Sequence, residues 1–476
     1  MSINICYERD TRDGRIVRWH RASPDEPPGV RQKPLPEAAD TALGTGNACF
    51  APHLNGFPPA GFDPDRISDP ARINREGGTF MSLSFEFSPE QRMLEENVWR
   101  WASTWLEPQM EHLYEKDEMP PDLFHELGKL GLNGIVYEEQ YGGAGLGYLE
   151  TLLVYENIAR VSNALSMTVG ASQTLAFDNF RRHASDAQKA AILPKACSGE
   201  SIGCLGITEP NAGSDAMSMT TRAEKKGNTY VINGSKTFIT NAPVADVMVF
   251  YAKTDLGKGP HGISTFFCYP KTTKGFVCEK IKKWGMRTSP TGLVTFDDMV
   301  LPEENLFGGI NQGVKVLTSG LCTERITLSG CALGSMRACL ELSLKYAKER
   351  VQFGKPIANF QFIQGKLADM YTRYLSSKWM AYSAAAFCDS LEDKSGGKGT
   401  DLDRMAAASL LHCGEAGTAV VSDAVQIHGG YGYCQEYAVS RHYLDEKLWH
   451  IGAGTSEVRR MIIARELLRD DFASGR

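Results

Sequence analysis

After Met81 the chain settles into a helical period. Ser88-Pro89-Glu90-Gln91 combines an N-cap serine, a first-turn proline and a capping-box glutamine, and predicts a helix to about Leu106. A second helix is expected from about Pro121 until Gly131 ends it. The stretch LGYLETLLVYENIARV and the segment around Asp186–Ser198 read as two more. From about Ile202 to Phe307 the pattern changes. DVMVFYAKT and GISTFFCYP are rich in strand formers, and YVINGSKTFIT carries Asn233-Gly234 between alternating segments, the strongest short-range hairpin signal. From about Gln312 the helical period returns in long runs such as ALGSMRACLELSLKYAKER and RMAAASLLHCGEAGTAVVSDAVQIHG. The expected fold is α+β and multidomain: an N-terminal helical bundle (81–200), a middle β-barrel or sandwich (201–309) and a C-terminal four-helix bundle (310–476). No β-α-β alternation is present, which disfavours a Rossmann fold.

Residues 1–80 follow neither period. They hold 10 of the 22 prolines together with 10 Lys/Arg and 11 Asp/Glu, a composition that buries little and is expected to be poorly ordered. No apolar h-region marks a secretory signal, and the acidic content argues against a mitochondrial transit peptide. Met81 is the expected natural start; a genuine disordered arm is the alternative. Over the whole chain, 51 basic against 57 acidic residues give a net charge of −6 with no basic block, so a nucleic-acid partner is not expected. No apolar run is long enough to span a membrane. The 12 cysteines form no CxxC pair and no zinc spacing, which points to reduced thiols in a cytoplasmic setting and to no metal site.

Several segments suit a flat, phosphorylated ligand, each with a plainer reading beside it. Gly206–Asp215 (GITEPNAGSD) is a polar loop offering N–H groups and the hydroxyls of Thr208 and Ser214, or an ordinary turn. KTFITN would set Phe238 and Thr240 on one face of a strand, a ring beside a hydroxyl, or else a core Phe beside an edge Thr. Arg350 and Phe353 close a long helix, where Arg350 suits a phosphate or simply the helix C-terminus. In IHGGYGY two glycines stand at a helix end, for close approach to a ligand or as a cap.

Glu324 stands apart. Leu317, Leu321, Leu328, Cys331 and Ser335 recur at three- and four-residue spacings, and Glu324 falls in that stripe, so a carboxylate faces the buried side. Unpaired burial is costly or raises the pKa. Arg325 is a poor partner because neighbours point apart on a helix. A structural ion pair and a proton-abstracting base in an apolar pocket both remain open on this evidence.

GITEPNAGSD, KTFITNAP, ERVQFGKPIANFQ, QIHGGYGY and IGAGTSEVRR stand in the order found in acyl-CoA dehydrogenases, and the chain resembles that family over essentially all of 81–476. It looks most like the isovaleryl branch. Most members take their base from a glutamate just before the C-terminal Gly-Thr-Ser, where this chain has Ala453. The isovaleryl branch has alanine there and carries its base at the helix position matched by Glu324. Gly452 and Leu328 match the Gly and Leu with which that branch makes room for a branched acyl end. The resemblance implies an FAD enzyme that forms a double bond next to a thioester. Glu324 would take the α-proton as the β-hydrogen leaves as hydride to flavin N5. The Ala453 N–H and a flavin ribityl hydroxyl would stabilise the thioester oxygen.

The same resemblance assigns the remaining residues. Leu205, Ile207, Thr208, Gly213 and Ser214 would line the flavin, with Phe238, Ile239 and Thr240 at its ring and Thr240 on the N5 side. Arg350, Phe353 and Gln361, joined by Gln426, Gly429 and Gly430, would hold pyrophosphate and adenosine across a subunit boundary. Thr455, Ser456 and Glu457 complete the flavin set. Ser214, Cys322, Arg325 and Leu328, with Trp449, Gly452, Ala453 and Gly454, would border the acyl-CoA. A homotetramer, electron-transferring flavoprotein as electron acceptor and a role in leucine catabolism are implied in the same way.

Three positions depart from the isovaleryl pattern. Phe238 replaces a usual Trp, Cys322 a frequent Asp, and Trp449-His450 a Tyr-Glu pair. They leave room for longer or terpenoid branched acyl-CoAs, for an acyl or prolyl thioester tethered to a carrier protein, for a silent thioester-binding scaffold and for a flavin oxidase.

Overall fold

The computed structural model describes residues 86–392 and 400–469, together with the backbone of two short strands near the start. Two units make up the chain, Met1–Leu83 and Ser84–Arg476. In the first, β1 (Ile5–Arg9) and β2 (Ile16–Arg21) pair antiparallel, although the local composition shows no strand period. The rest of 1–80 and the proposed start at Met81 lie outside the described residues.

The second unit begins as its capping box dictates. Ser88 Oγ accepts from the Gln91 N–H, Gln91 Oε1 accepts from the Ser88 N–H, and Pro89 opens α1 (Pro89–Trp101). The chain carries on to Leu106 as a π turn, Ala102–Leu106. Then come α2 (Met110–Lys116), α3 (Leu123–Lys129), α4 (Tyr148–Ala159), α5 (Asn163–Gly170), α6 (Asp178–His183) and α7 (Asp186–Ser198). A second π turn, Ala171–Phe177, joins α5 to α6.

The middle region is one mixed sheet of eight strands. They are β3 (Gly203–Gly206), β4 (Arg222–Lys226), β5 (Thr229–Thr240), β6 (Val247–Lys253), β7 (Ile263–Cys268), β8 (Phe276–Lys280), β9 (Thr291–Pro302) and β10 (Leu306–Phe307). Their order is β10-β7-β6-β4-β5-β9-β8, with β3 parallel to β6. One face encloses Tyr230, Phe250, Phe266 and Phe296; the other sets Val249, Tyr251 and Phe267 against Phe177, Phe180 and Leu317.

The expected hairpin at Asn233-Gly234 is not there. Both residues lie inside β5, at a bulge where the register against β9 slips. The turn between β4 and β5 falls instead at Gly227-Asn228, with Gly227 at φ +60°. Gly234 has a packing reason: a Cβ there would sit 2.5 Å from Thr221 Oγ1.

Then follow α8 (Gly313–Glu349), the short pair β11 (Val351–Gln352) and β12 (Lys355–Pro356), α9 (Gln361–Ser390), α10 (Asp401–His428), α11 (Ala438–Glu446) and α12 (Ser456–Arg469). N-terminal and C-terminal helices share one core, in which α8 lies between α4, α9 and α10. That position buries α8 nearly all round: Thr323, Arg325, Thr327 and Ser329 are buried along with Leu317 and Leu328. An apolar stripe therefore understates how much of this helix is inside.

The helical core also encloses an acid. Glu446 on α11 is fully buried; its Oε2 accepts from Asn163 Nδ2 at 3.1 Å, while Oε1 and Asn163 Oδ1 have no partner. Gly417 on α10 makes room, since a Cβ there would overlap the carboxyl. Burial, reinforced by Asp445, raises the Glu446 pKa well above the usual carboxylate range. The native state thus holds this proton more tightly than the unfolded chain. Stability should fall as pH climbs from the ordinary carboxylate range toward the raised value, and stay low above it. Glu446→Gln removes that loss and can donate to Asn163 Oδ1. Its Tm should exceed that of wild type by about 2–4 °C at pH 8, with the gap closing toward pH 4.5. Calorimetry at the two pH values checks this.

Candidate active site

The central position of α8 fixes the state of Glu324. Its side chain is buried at 4% exposure, and Oε2 makes no hydrogen bond. Burial pushes its pKa up to about 7, against the opposing pull of Arg325 and Arg459. Arg325, one residue on, turns elsewhere: its Nη1 lies 3.3 Å from Asp403 Oδ1 and its Nε donates to the Ala453 carbonyl at 3.2 Å. The carboxyl is thus electrostatically coupled to two guanidinium groups whose recorded hydrogen bonds go to other acceptors.

Those arginines hold the loop that precedes α12. Arg459, fully buried, donates to the Trp449 carbonyl at 2.5 Å and to the Gly452 carbonyl. In a planar trans peptide the C=O and the following N–H point in opposite directions. Arg459 on the Gly452 carbonyl therefore turns the Ala453 N–H away from itself. Ala453 sits at φ +53° and Gly454 at φ +85°, a left-handed pair that bends the loop back toward α8. Gly454 lies beside Arg325: a Cβ there would be 3.8 Å from Arg325 Nη2. At Gly452 a Cβ would make only ordinary contact, 3.5 Å from Leu448, so internal packing does not demand this glycine. Trp449 is fully buried, with Gly414 of α10 making room for it.

Leu328 lies one turn beyond Glu324. It faces α5 so closely that a Cβ on Gly170 would be 3.0 Å from Leu328 Cδ2. Cys322 is buried and its Sγ donates to Asp403 at 3.4 Å. Asp403 thereby gathers Cys322, Arg325 and Arg465.

On the β side, Gly206–Asp215 is anchored by an ion pair that the sequence does not announce. Lys236 and Glu209, both buried, meet at 2.9 Å, and Glu209 also accepts from the N–H groups of Thr220 and Thr221. Burial alone would raise the Glu209 pKa; Lys236 and these donors outweigh it and hold the carboxyl at about 2. Thr237 N–H donates to the Thr208 carbonyl, tying the loop to β5. Leu205 is buried, Ile207 and Thr208 are half-buried, and Gly213 and Ser214 are exposed, with nothing within 4 Å of a Cβ on Gly213. Plain alternation does not set the two predicted ring contacts. The register of β5 slips between Lys236 and Ile239, and Phe238 takes φ +59° with 68% exposure. The bulge aims the ring outward while Ile239 stays buried and Thr240 half-buried.

A separate cleft of about 570 Å³ gathers Arg350, Phe353, Gly429 and Gly430 with Tyr346 and Tyr431. Cβ atoms on Gly429 or Gly430 would meet nothing within 4 Å. Gln361 and Gln426 are exposed at the start of α9 and near the end of α10. Thr455 caps α12 by accepting from the Val458 N–H; Ser456 is buried and Glu457 exposed. Helix α8 runs from Glu324 to the cleft, a separation of roughly 40 Å at 1.5 Å per residue. One chain does not bring the two groups to a single ligand of dinucleotide size.

Family models for the acyl-CoA dehydrogenase N-terminal, middle and C-terminal domains match residues 88–200, 204–299 and 311–468. A mitochondrial isovaleryl-CoA dehydrogenase of Solanum tuberosum is 42% identical over 391 residues, 82% of this chain and 93% of that protein. The butyryl-CoA dehydrogenase structure from Megasphaera elsdenii matches with a TM-score of 0.77 at 35% identity, covering 81% of this chain and all of that one. A prolyl acyl carrier protein oxidase matches at 0.76 and 28%, covering 80% and 100%. The chain belongs to the acyl-CoA dehydrogenase family, and FAD is its cofactor. The residues fit that group: the open glycines 213, 429 and 430 leave space for it, Arg350 supplies a cation in the cleft, and Phe238 presents an exposed ring. No described helix is long and apolar enough to cross a membrane.

The buried pair gives a test of the loop. Lys236→Met leaves the buried Glu209 carboxylate without its cation, which should cost about 3–5 kcal/mol and release flavin. The double variant Glu209→Gln/Lys236→Met should recover a large part of both losses. Thermal melts and the flavin-to-protein absorbance ratio measure the coupling.

Proposed function

We propose that this acyl-CoA dehydrogenase oxidises a short branched acyl-CoA, isovaleryl-CoA to 3-methylcrotonyl-CoA, with Glu324 as the base. The observation that carries the reading is the buried, weakly acidic carboxyl on α8 opposite a loop whose base position is Ala453. Bound FAD would supply the acceptor for the β-hydrogen, which leaves as hydride. Glu324 accepts the α-proton, and its raised pKa suits a base working near neutrality. The Ala453 N–H, directed by the hold of Arg459 on the preceding carbonyl, donates to the thioester oxygen as charge develops there. Leu205, Thr208, Ser214, Phe238 and Thr240 would hold the flavin ring, and the buried apolar walls around Glu324 exclude water.

The short-chain assignment is supported by Leu328, one turn beyond Glu324 and packed against Gly170, and by Gly452, whose missing side chain nothing in the fold requires. We read the Arg350 cleft as the FAD-diphosphate site of a neighbouring subunit in a homotetramer. The distance along α8 and the exposed Phe353, Phe362 and Tyr433 support this. Electron-transferring flavoprotein is the proposed acceptor and leucine breakdown the proposed setting. A carrier-tethered thioester is the second reading, favoured by Cys322, whose thiol turns to Asp403, and by the likeness to the carrier protein oxidase.

Anaerobic flavin bleaching tests the reading. Isovaleryl-CoA should bleach the bound flavin much faster than octanoyl-CoA; bleaching by no free acyl-CoA would favour the tethered substrate. Glu324→Gln should keep the flavin spectrum and slow bleaching by about 10²–10⁴-fold. Because the base must be ionised, kcat/KM should fall about tenfold per pH unit below about 7. Gly452→Val should fold normally and lose isovaleryl-CoA preferentially to butyryl-CoA.

A further inference from the structure

Tyr251 on β6 ends in a hydroxyl that the reaction derived above does not use. The side chain is fully buried and its Oη has no hydrogen-bond partner; Glu324 Oε2 is buried and unpartnered in the same way. The two groups border one apolar layer. Tyr251 packs in the cluster that contains Leu317, and Leu321 leans on that cluster. These leucines precede Glu324 on α8 by seven and three residues, spacings that set all three on one helix face. Burial, with Glu324 as the nearby negative charge, raises the Tyr251 pKa, while Arg182 opposes. Tyr251 is therefore a hydrogen-bond donor throughout the working range. A buried donor and a buried acceptor, each costly when unpaired, relieve each other when joined.

We propose that Tyr251 is a positioning residue for Glu324: its hydroxyl donates through one buried water to Oε2 and holds the carboxylate toward the substrate. This rests on the reading of Glu324 as the base. The charged groups acting on that carboxyl are Arg325 on its own helix and Arg459 from α12, while Arg182 from α6 acts on Tyr251. Arg325 is fastened to Asp403 and Ala453, Arg459 to the loop carbonyls, and Arg182 to Asp178 and the Ser319 carbonyl. Removing the Tyr251 hydroxyl leaves these fastenings alone, so its effect on Glu324 can be read by itself.

Tyr251→Phe is the test, with the holoenzyme and Glu324→Gln as references. In infrared titration, the protonated-carboxyl band that Glu324→Gln lacks should persist to higher pH by about one pH unit in Tyr251→Phe, a roughly tenfold weaker acid. The acid limb of kcat/KM should move by the same amount. A Glu324 band that titrates identically in wild type and Tyr251→Phe overturns the proposal, as does a uniform loss of rate with an unmoved limb. If no carboxyl band separates wild type from Glu324→Gln, it is the assignment of Glu324 as a near-neutral base that falls.

Discussion

A carboxyl group on a helix with almost no wet side is the constraint around which the rest of the structure is arranged. Helix α8 lies inside a core shared by the N-terminal and C-terminal helices, so Glu324 is buried and has no direct ionic partner among the described residues. Water exclusion raises its pKa, and the two nearest guanidinium groups, spent on Asp403 and on loop carbonyls, offset only part of that rise. Had either arginine closed on Glu324, the carboxylate would be a strong acid's anion and a poor base. The wiring of Arg325 and Arg459 to other acceptors is thus as much a part of the site as the carboxyl itself.

Much of this was legible in the chain. The capping box at Ser88, the change from helical to alternating period near Ile202 and the return of long helices at Gln312 are local signals, and local hydrogen bonding obeys them. Glu324 was legible for a different reason, because a charge among regularly spaced apolar positions is an anomaly under any packing. The extent of its burial was not. A stripe implies a wet opposite face, and only the tertiary position of α8 removes that face.

The misread turn has a physical cause. Asn233-Gly234 carries the composition of a tight turn, but β9 is long enough to pair on both sides of it, so the glycine serves a bulge against Thr221. Phe238 is exposed and Thr240 half-buried on either side of the buried Ile239, and only the left-handed backbone of Phe238, at a second register slip, goes unannounced in KTFITN. The partners that brace the site are also silent in sequence. Glu209 and Lys236 stand 27 residues apart and Arg325 and Asp403 stand 78 apart, and each looks like an ordinary surface charge until the fold joins them. Arg459 is one of two adjacent arginines, and nothing local tells the buried one from the exposed one.

Carrying the carboxyl on α8 also explains the form of the loop facing it. Ala453 holds a left-handed backbone, which costs a non-glycine residue roughly 1–2 kcal/mol. That conformation survives because guanidinium groups from two helices grip the carbonyls of Trp449, Gly452 and Ala453. A carboxylate placed on this chain's loop would stand among those same guanidinium groups, where pairing would lower its pKa. On the proposed reading, with the base on the helix, the loop is left to provide shape and one directed N–H. Gly452, unconstrained by its own neighbours, is a place where a side chain could be added without disturbing the gripped carbonyls.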